Sequence, residues 1–338
     1  MTRIKIAVLG AGNMGTAMAH ALAGIGHKIT VWDHFPEVVE DIRLHRENRR
    51  FLPGVRLHAG VRATGDAGGC VSGAALVLIG VPSMFVASML APVVPALEKN
   101  AVLLNVAKGF VPGTRQPLLH MLEQLAPLHA CLHLGGPAIA NELARGVPTS
   151  IVLASADERM ALRVAGWFDG PSFMPGITTD VAGAALGGVL KNVYAILLGA
   201  LETLSGDARN LEAAALSAGV REMAAIASAH GGHAATLYGL AGLGDLIATG
   251  FSKDSHNRGF GRQLASGKSA AGIEKENGWL PEGARAAVET CALARAGHVR
   301  APLAGLVHRW IDGAPPSLNA VLRALRAAAR TAGQTTPD

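Results

Sequence analysis

The first part of the chain alternates short apolar runs with segments of helical periodicity. Runs rich in Val, Ile and Leu, bounded by Gly, Pro or Ser, predict strands at 4–10, 28–33, 75–82, 101–109 and 150–155. Continuous apolar runs of this length are typical of strands buried on both faces of a parallel sheet. Because helical segments separate them, the pattern predicts an α/β fold whose N-terminal part is a Rossmann-type, doubly wound sheet.

After about residue 180 the pattern changes to long helical runs with almost no strand-like alternation. The clearest are "GAALGGVLKNVYAILLGALETL", "NLEAAALSAGVREMAAIASAHG" and "EGARAAVETCALARAG". We therefore predict a doubly wound α/β domain over 1–182 and a mostly helical domain over 183–338. The last residues, "TAGQTTPD", are expected to be frayed.

Composition narrows the function classes. Half of the residues are hydrophobic and 16% are charged, which indicates a compact folded protein. The net charge is only +5, the basic residues are scattered along the chain, and aromatic residues make up only 4%. The sequence therefore gives no support for nucleic-acid binding. A modest positive balance fits a small acidic substrate.

Cysteine usage and the termini indicate a cytoplasmic protein. Cys70, Cys131 and Cys291 are far apart and odd in number, so free thiols are expected, with no disulfide and no metal site. The N-terminus enters a strand at once, which argues against a signal peptide. The apolar stretch 181–201 contains glycines and polar residues, so we interpret it as a core helix and not as a membrane span.

A glycine loop follows the first strand. "GAGNMG" places Gly10, Gly12 and Gly15 in the spacing G-x-G-x-x-G, directly after a strand and at the start of a helix. That context predicts a dinucleotide site, because glycines let the backbone approach a pyrophosphate and a helix N-terminus offers N–H donors to it. A tight turn without a ligand is the alternative.

Two residues at the end of the second strand bear on the choice of cofactor. Asp33 lies where an acidic residue accepts hydrogen bonds from the adenosine ribose, which favours NAD. His34 follows it, and a protonated imidazole there suits the 2′-phosphate of NADP instead. We expect NAD or NADP, with NAD preferred.

Three charged residues are candidates for the chemistry. Lys191 lies in an apolar helical run, and removal from water lowers the pKa of a lysine toward the range useful for proton transfer; the alternative is a lysine that reaches the surface through its stem. Asp245, the only charge in "GLAGLGDLIATG", is either a partner for a lysine or substrate hydroxyl, or a helix cap. Lys108 ends a strand at the carboxyl edge of the sheet, where ligands bind, or is an ordinary solvated lysine.

Taken together, the motifs resemble the NAD(P)-dependent glycerol-3-phosphate dehydrogenases. They run in order through "GAGNMGTAMA", "ENRRFLPG", "AKGF", "GGPAIANE", "LGGVLKNVYAI", "GLGDLIATGFSKDSHNRGFG" and "LPEG". The resemblance implies an oxidoreductase that interconverts sn-glycerol 3-phosphate and dihydroxyacetone phosphate by hydride transfer, with Lys191 as general acid/base. It also implies a homodimer.

With the residues singled out above, the resemblance implies that 1–182 is the dinucleotide-binding domain and 183–338 the substrate and catalytic domain, with two sets of binding residues; no metal site is expected. Those expected to bind substrate are Lys108, Gly136, Asn192, Asp245, Thr249, Ser255, His256 and Asn257. Those expected to bind the cofactor are Gly10, Gly12, Asn13, Met14, Gly15, Asp33, His34, Lys108, Ala140, His256 and Glu282.

Two positions depart from the family pattern. His256 stands where the family has an arginine that contacts the substrate phosphate and the cofactor, and Ala138 stands where the family has a Ser or Thr hydroxyl. A charge-assisted hydrogen bond contributes roughly 1.5–3 kcal/mol, so loss of the arginine predicts about tenfold to a hundredfold weaker phosphate binding. His256 compensates only when it is protonated.

These departures leave three interpretations. Either Arg258 or Lys253 supplies replacement contacts to glycerol 3-phosphate, or the substrate is a different small acidic hydroxy compound. A catalytically silent dinucleotide-binding sensor is the third, and the retention of Lys191, Asn192 and Asp245 argues against it.

Overall fold

The computed structural model describes residues 2–111, 113–206 and 208–331. The chain forms two compact units, Met1–Val181 and Ala182–Asp338, where the sequence placed a boundary between 182 and 183. Most of the C-terminal segment expected to be frayed, residues 332–338, lies outside the described residues.

Unit 1 is built on one eight-stranded sheet. Its strands are β1 Lys5–Leu9, β2 Lys28–Trp32, β3 Val61–Thr64, β4 Leu76–Ile79, β5 Val102–Asn105, β6 Ala130–Gly135, β7 Thr149–Ala154 and β8 Phe173–Thr178. The spatial order is β3-β2-β1-β4-β5-β6-β7-β8. All neighbours pair in parallel except β6 and β7, and β1 is central, with Ile6 opposite both Ile29 and Leu76.

Both faces of this sheet are covered. Ile6 and Val8 of β1 point into one apolar cluster, and Ala7 and Leu9 point into another on the opposite face, all four fully buried. This two-sided burial is the reason that the strands appear in the sequence as continuous apolar runs. The predicted Rossmann-type fold is confirmed.

In the described part of unit 1, seven α-helices connect the strands. They are α1 Asn13–Gly24, α2 Pro36–His45, α3 Ala67–Val71, α4 Val86–Leu90, α5 Leu118–Leu125, α6 Ala140–Ala144 and α7 Glu158–Ala165. Short 3₁₀ turns occupy Ser83–Phe85 and Val94–Ala96. The carboxyl ends of β1, β2, β5 and β6 lead directly into the segments that carry the cofactor-side candidates.

The sequence missed three strands and one strand direction. β3 has only four residues, β6 contains His133 and Gly135, and β8 carries the pair Pro175–Gly176, so none is a continuous run of strand-forming residues. Proline is tolerated in β8 because that strand lies at the edge of the sheet. β7 is antiparallel to β6, which corrects the expectation of a wholly parallel sheet.

The regular elements of unit 2, within its described residues, are all helices. Its α-helices are α8 Val181–Ser205, α9 Arg209–Ser228, α10 Ala234–Tyr238, α11 Asp245–Phe251, α12 His256–Ala265, α13 Ala270–Asn277, α14 Glu282–Ala296, α15 Pro302–Ile311 and α16 Leu318–Thr331. A π-helical turn, Leu240–Gly244, runs into α11. The predicted helical second domain is confirmed.

α8 is the central helix of unit 2. By length and composition alone it is apolar enough to cross a membrane, yet 89% of its most apolar window is buried inside the protein. A helix that is apolar on all sides belongs in a core. The interpretation of 181–201 as a core helix therefore fits the structure.

The three cysteines are free thiols. Burial raises the pKa of Cys70 and of Cys131 to about 12, and it raises the pKa of Cys291 as well. Since the thiolate is the reactive form of cysteine, these side chains are poor nucleophiles and metal ligands.

Candidate active site

The glycine loop of unit 1 folds back tightly between β1 and α1. Gly10 has φ +106°, and a Cβ there would lie 2.8 Å from the Val81 side chain and 2.9 Å from its backbone nitrogen. A Cβ on Gly15 would lie 2.0 Å from the Gly10 carbonyl oxygen. Both positions therefore require glycine, one for conformation and close approach and the other for close approach alone.

Gly12 has a different role. A Cβ on Gly12 would meet no atom within 4 Å, so the missing side chain leaves open space in front of α1. Gly12 is also the N-cap of α1 and, being a glycine, it makes no side-chain cap hydrogen bond to the first turn. Open space before an uncapped helix N-terminus fits a dinucleotide pyrophosphate, which accepts hydrogen bonds from the backbone N–H groups there.

Two asparagines link the glycine loop to neighbouring segments by hydrogen bonds. The exposed Asn13 side chain donates to the Phe51 carbonyl at 2.7 Å, and Met14 is half-buried in the first turn of α1. Asn48 is fully buried and donates to the Ala11 carbonyl at 2.7 Å and to Thr16 Oγ1 at 2.8 Å. The sequence reading did not identify Asn48, although it lies in the quoted motif "ENRRFLPG".

Asp33 lies at the predicted position after β2, but its carboxylate supports the backbone. Oδ2 accepts the Ala11 N–H at 2.7 Å, Oδ1 accepts the Phe35 N–H at 3.0 Å, and the residue is 8% exposed. One lone pair on each oxygen is therefore committed to the protein. His34, the next residue, is exposed, with its ring 5.5 Å from that of Phe35.

Lys108 and Gly136 lie together beyond the ends of β5 and β6. Lys108 Nζ donates to the Gly136 carbonyl oxygen at 3.3 Å. Gly136 has φ +93°, and Ala138 and Ala140 follow it on the way into α6, with Ala140 buried. The structure thus brings the half-buried Lys108 to the Gly-Gly-Pro turn at the carboxyl edge of the sheet.

In unit 2, Lys191 is buried with two polar partners. Its Nζ lies 2.6 Å from Asp245 Oδ1 and 2.5 Å from Thr249 Oγ1. Lys191 is 6% exposed and Asp245 is 1% exposed. The lysine is therefore buried and does not reach the surface through its stem. Asp245 is its partner, which was the first of the two interpretations given for Asp245.

Close backbone packing brings these side chains together. A Cβ on Gly187, one turn before Lys191 on α8, would lie 2.4 Å from the Ala241 carbonyl oxygen of the π-helical turn. A Cβ on Gly242 would lie 2.1 Å from the Leu237 carbonyl oxygen. The glycines let the π-helical turn pack directly on α8, so that Asp245, the first residue of α11, reaches Lys191.

Asn192 is held by a second asparagine. Asn257 Nδ2 donates to Asn192 Oδ1 at 3.0 Å, while Asn257 Oδ1 accepts the Gly283 N–H at 2.9 Å. A backbone N–H can only donate, so this contact fixes the orientation of both amides. Asn192 is buried and Glu282, the first residue of α14, is exposed.

The stretch "SHNR" forms the start of α12. Ser255 is the N-cap and its Oγ accepts the Arg258 N–H at 3.2 Å. His256 is exposed, and its ring lies edge-to-face with that of Trp279 at 5.0 Å. Arg258 pairs with Glu202 at 2.8 Å and is 15% exposed, so this arginine is committed to α8. That engagement argues against the hypothesis that Arg258 replaces the missing phosphate contact.

One buried network was missed by the sequence reading. Glu222 of α9 accepts the N–H groups of Leu303 and Ala304 at 2.9 and 3.1 Å and the Tyr194 hydroxyl at 3.1 Å. Burial raises the pKa of Glu222 to about 7, although these donors and Arg221 act to lower it. A lone acid in the Ala-rich run "VREMAAIAS" was the available signal.

Sequence comparisons match both parts of the chain to one family. The profile described as NAD-dependent glycerol-3-phosphate dehydrogenase N-terminus matches residues 5–161, and the one described as its C-terminus matches 180–321. The chain is 37% identical over 317 residues to a glycerol-3-phosphate dehydrogenase (NAD(P)+) of Anaeromyxobacter sp. (strain K), covering 93% of this chain and 95% of that protein. It is 38% identical over 320 residues to that of Thermobifida fusca, covering 93% and 94%.

A structural comparison agrees. The glycerol-3-phosphate dehydrogenase of Coxiella burnetii superimposes with a TM-score of 0.87 and 29% sequence identity, over 97% of this chain and 99% of that one. Among the described residues, no group of three or more His, Cys, Asp or Glu side chains has the arrangement of a metal site.

Proposed function

Because the chain belongs to the NAD-dependent glycerol-3-phosphate dehydrogenase family, we propose that it interconverts sn-glycerol 3-phosphate and dihydroxyacetone phosphate with NAD or NADP. The observation that carries this proposal is the buried contact of Lys191 with Asp245 and Thr249. A desolvated lysine with fixed partners is a suitable acid/base for a secondary alcohol and its ketone. The relatives support this substrate and not the alternative acidic hydroxy compound.

Lys191 is proposed to carry the proton of the reaction. In ketone reduction its ammonium donates a proton to the carbonyl oxygen, and in alcohol oxidation the neutral amine accepts the hydroxyl proton. Asp245, at 2.6 Å, aims Nζ and stabilises its charged form. Thr249 Oγ1, at 2.5 Å, is a second partner of Nζ next to the Asp245 carboxylate, so the orientation of the ammonium is set before substrate binds.

Asn192 is proposed to hold the glycerol end of the substrate. Its amide orientation is fixed by Asn257, which is fixed in turn by the Gly283 N–H. An amide of known orientation offers a defined donor to a substrate oxygen. We therefore assign Asn257 a positioning role and Asn192 a binding role.

The cofactor is proposed to bind unit 1 at the glycine loop. Gly12 and the first turn of α1 would hold its pyrophosphate, and Lys108, with Gly136 and Ala140, would lie on the nicotinamide side. When bound, the nicotinamide accepts or supplies the hydride.

The substrate phosphate is proposed to bind at the start of α12. Ser255 is the N-cap of this ten-residue helix, and His256, its first residue, is exposed. The backbone dipole at a helix N-terminus attracts an anion. This contact is expected to be weaker than the arginine contact of the family pattern. Lys253, also exposed, is the remaining basic residue nearby in the sequence.

The test is the oxidation of NADH and of NADPH with dihydroxyacetone phosphate, followed by the absorbance of the reduced nicotinamide. Lys191→Ala is expected to lower turnover by roughly a hundredfold or more while NADH binding stays nearly unchanged. Lys268→Ala is the matched control, because Lys268 is an exposed lysine of the same unit that pairs with Glu276. Near-normal turnover in Lys191→Ala, or no turnover in the wild type, contradicts the proposal.

Two further properties stay predictions. We propose a homodimer and a cytoplasmic location, on the sequence arguments given above. Light scattering coupled to size-exclusion chromatography tests the first, and fractionation of the source cells tests the second.

A further inference from the structure

An exposed arginine contacts two aromatic rings whose chain segments are hydrogen-bonded to the glycine loop. The Arg50 guanidinium carbon lies 3.9 Å from the centre of the Phe35 ring and 5.1 Å from that of Phe51. The two rings are 6.3 Å apart, and the Arg50 side chain is 46% exposed. Stacking on an aromatic face orients a guanidinium plane and leaves its N–H edges available for a ligand.

The backbones of Phe51 and Phe35 are both linked by hydrogen bonds to the glycine loop, the second of them through Asp33. Asn13 donates to the Phe51 carbonyl at 2.7 Å. Asp33, which accepts the Ala11 N–H, also accepts the Phe35 N–H at 3.0 Å. The same segments that shape the proposed pyrophosphate site therefore determine where Arg50 lies.

This placement corresponds to the adenosine side of a dinucleotide. In Rossmann-type domains the adenosine ribose lies beyond the second strand, where an acid selects the free 2′-hydroxyl and a nearby arginine accommodates a 2′-phosphate. Here Asp33 occupies the position of the acid, with a lone pair of each oxygen committed to a backbone N–H. His34 follows Asp33 in the chain and Arg50 lies over the Phe35 ring, and both are exposed basic side chains.

Glu37 competes for the same arginine. Its Oε1 lies 2.5 Å from Arg50 Nη1, and the Glu37 side chain is 61% exposed. An exposed pair of this kind contributes little to stability, so a phosphate that binds in two-pronged fashion can displace the carboxylate. The carboxylate also repels a phosphate at short range.

We propose that Arg50 binds the 2′-phosphate of NADP, and that Glu37 weakens this contact by pairing with the same guanidinium. The inference rests on the proposed dinucleotide-dependent function and adds to it the residues that set the choice between NADPH and NADH. Phe35 and Phe51 are positioning residues in this account.

The test is binding, measured by isothermal titration calorimetry without substrate. The probes are NADPH and NADH, together with the fragments adenosine 2′,5′-bisphosphate and ADP. Arg50→Met keeps the apolar stem and removes the guanidinium. The substitution is expected to raise the dissociation constants of NADPH and adenosine 2′,5′-bisphosphate by roughly tenfold to a hundredfold. Those of NADH and ADP should change by less than about threefold. Glu37→Gln is expected to lower the dissociation constant of NADPH by roughly two- to fivefold.

Arg49→Met is the matched control. Arg49 is adjacent in sequence and also exposed, but it pairs with Asp41 on α2, so its loss should leave the NADPH to NADH ratio unchanged. Thermal unfolding checks that each variant is folded, and Glu37→Gln provides an independent result should Arg50→Met be unstable.

Equal weakening of both cofactors in Arg50→Met overturns the inference, as does an unchanged ratio in a folded Arg50→Met. A wild type that binds adenosine 2′,5′-bisphosphate no tighter than ADP overturns it as well. These results are separable from the proposed function, because dihydroxyacetone phosphate is absent from the titrations. If Arg50→Met leaves the NADPH to NADH affinity ratio unchanged while the wild type turns over dihydroxyacetone phosphate, only the role of Arg50 is rejected. If the ratio changes but the wild type shows no turnover, only the proposed substrate is rejected.

Discussion

Replacement of Glu222 by alanine should strongly destabilise unit 2. The carboxylate is 5% exposed and accepts hydrogen bonds from the N–H groups of Leu303 and Ala304 and from the Tyr194 hydroxyl. Leu303 and Ala304 are fully buried and Tyr194 is 1% exposed, so water has little access to the three donors that the change leaves behind. At about 1–3 kcal/mol for each unsatisfied donor, with partial relaxation, the loss is about 3–5 kcal/mol.

Glu222→Gln tests a second consequence of the same burial. Burial raises the pKa of Glu222 from its ordinary value of 4.5 to about 7 in the folded protein. The folded state therefore holds the proton more tightly than the unfolded state. The resulting stability is fully present below about pH 4.5 and is lost as the pH rises to about 7. At about 1.4 kcal/mol per pH unit, this loss amounts to about 3 kcal/mol, and it should be absent from Glu222→Gln.

The assay is urea unfolding followed by tryptophan fluorescence, since the buried Trp310 lies on α15, the helix that Glu222 contacts. The free energies of unfolding are compared between wild type and Glu222→Gln from about pH 4.5 to about pH 8. Glu274→Ala, at an exposed position of α13, is the control and should change stability by less than about 0.5 kcal/mol. Parallel pH profiles for wild type and Glu222→Gln would refute the reasoning, as would a loss below about 1 kcal/mol in Glu222→Ala.

Three further predictions concern the site and its packing. His256→Arg restores a permanent charge at the start of α12 and should lower KM for dihydroxyacetone phosphate by about tenfold in steady-state kinetics; an unchanged KM argues against a phosphate contact there. Asn257→Ala removes the 3.0 Å contact that orients Asn192, so kcat should fall by about tenfold while the NADH dissociation constant stays the same. A loss of NADH binding instead would show that the asparagine acts on the cofactor. Gly199→Ala would place a Cβ 2.0 Å from the Arg258 carbonyl oxygen, and chemical denaturation should show a loss of at least about 2 kcal/mol; wild-type stability would show that the helices can separate without penalty.

The features that the sequence predicted well depend on local pattern. The central strands are buried on both faces, so their apolar runs are unbroken and easily recognised. The glycine loop has fixed spacing after such a strand, and α8 is apolar on all sides. Lys191 stood out for the same reason, as a charge within an apolar helical run.

The features that the sequence did not predict depend on contacts between distant segments. Asn257 meets Asn192 across 65 positions, and Glu222 meets Leu303 across 81. Hydrophobic periodicity along the chain does not indicate which distant residues come into contact. Arg258 was proposed as a phosphate ligand from its position in the motif, yet its pairing with Glu202 is visible only once α8 and α12 are packed together.

Edge strands were missed for a different reason. β8 contains Pro175 and Gly176, which are unfavourable in a central strand but are tolerated at the edge of a sheet. The antiparallel pairing of β7 depends on the chain path after β6, where Gly136 has φ +93° and a short helix follows. A strand's direction is set by its connection, and the residues of β7 itself carry no mark of it.

The most direct test of the central claim is the fate of the hydride. Wild-type protein is incubated with dihydroxyacetone phosphate and NADH deuterated at nicotinamide C4 on the transferred face, and the product is analysed by NMR. The account predicts glycerol 3-phosphate with deuterium on the carbinol carbon, formed at least about a hundredfold more slowly by Lys191→Ala. A product that carries solvent hydrogen at that carbon, or no product while NADH remains bound, would contradict it.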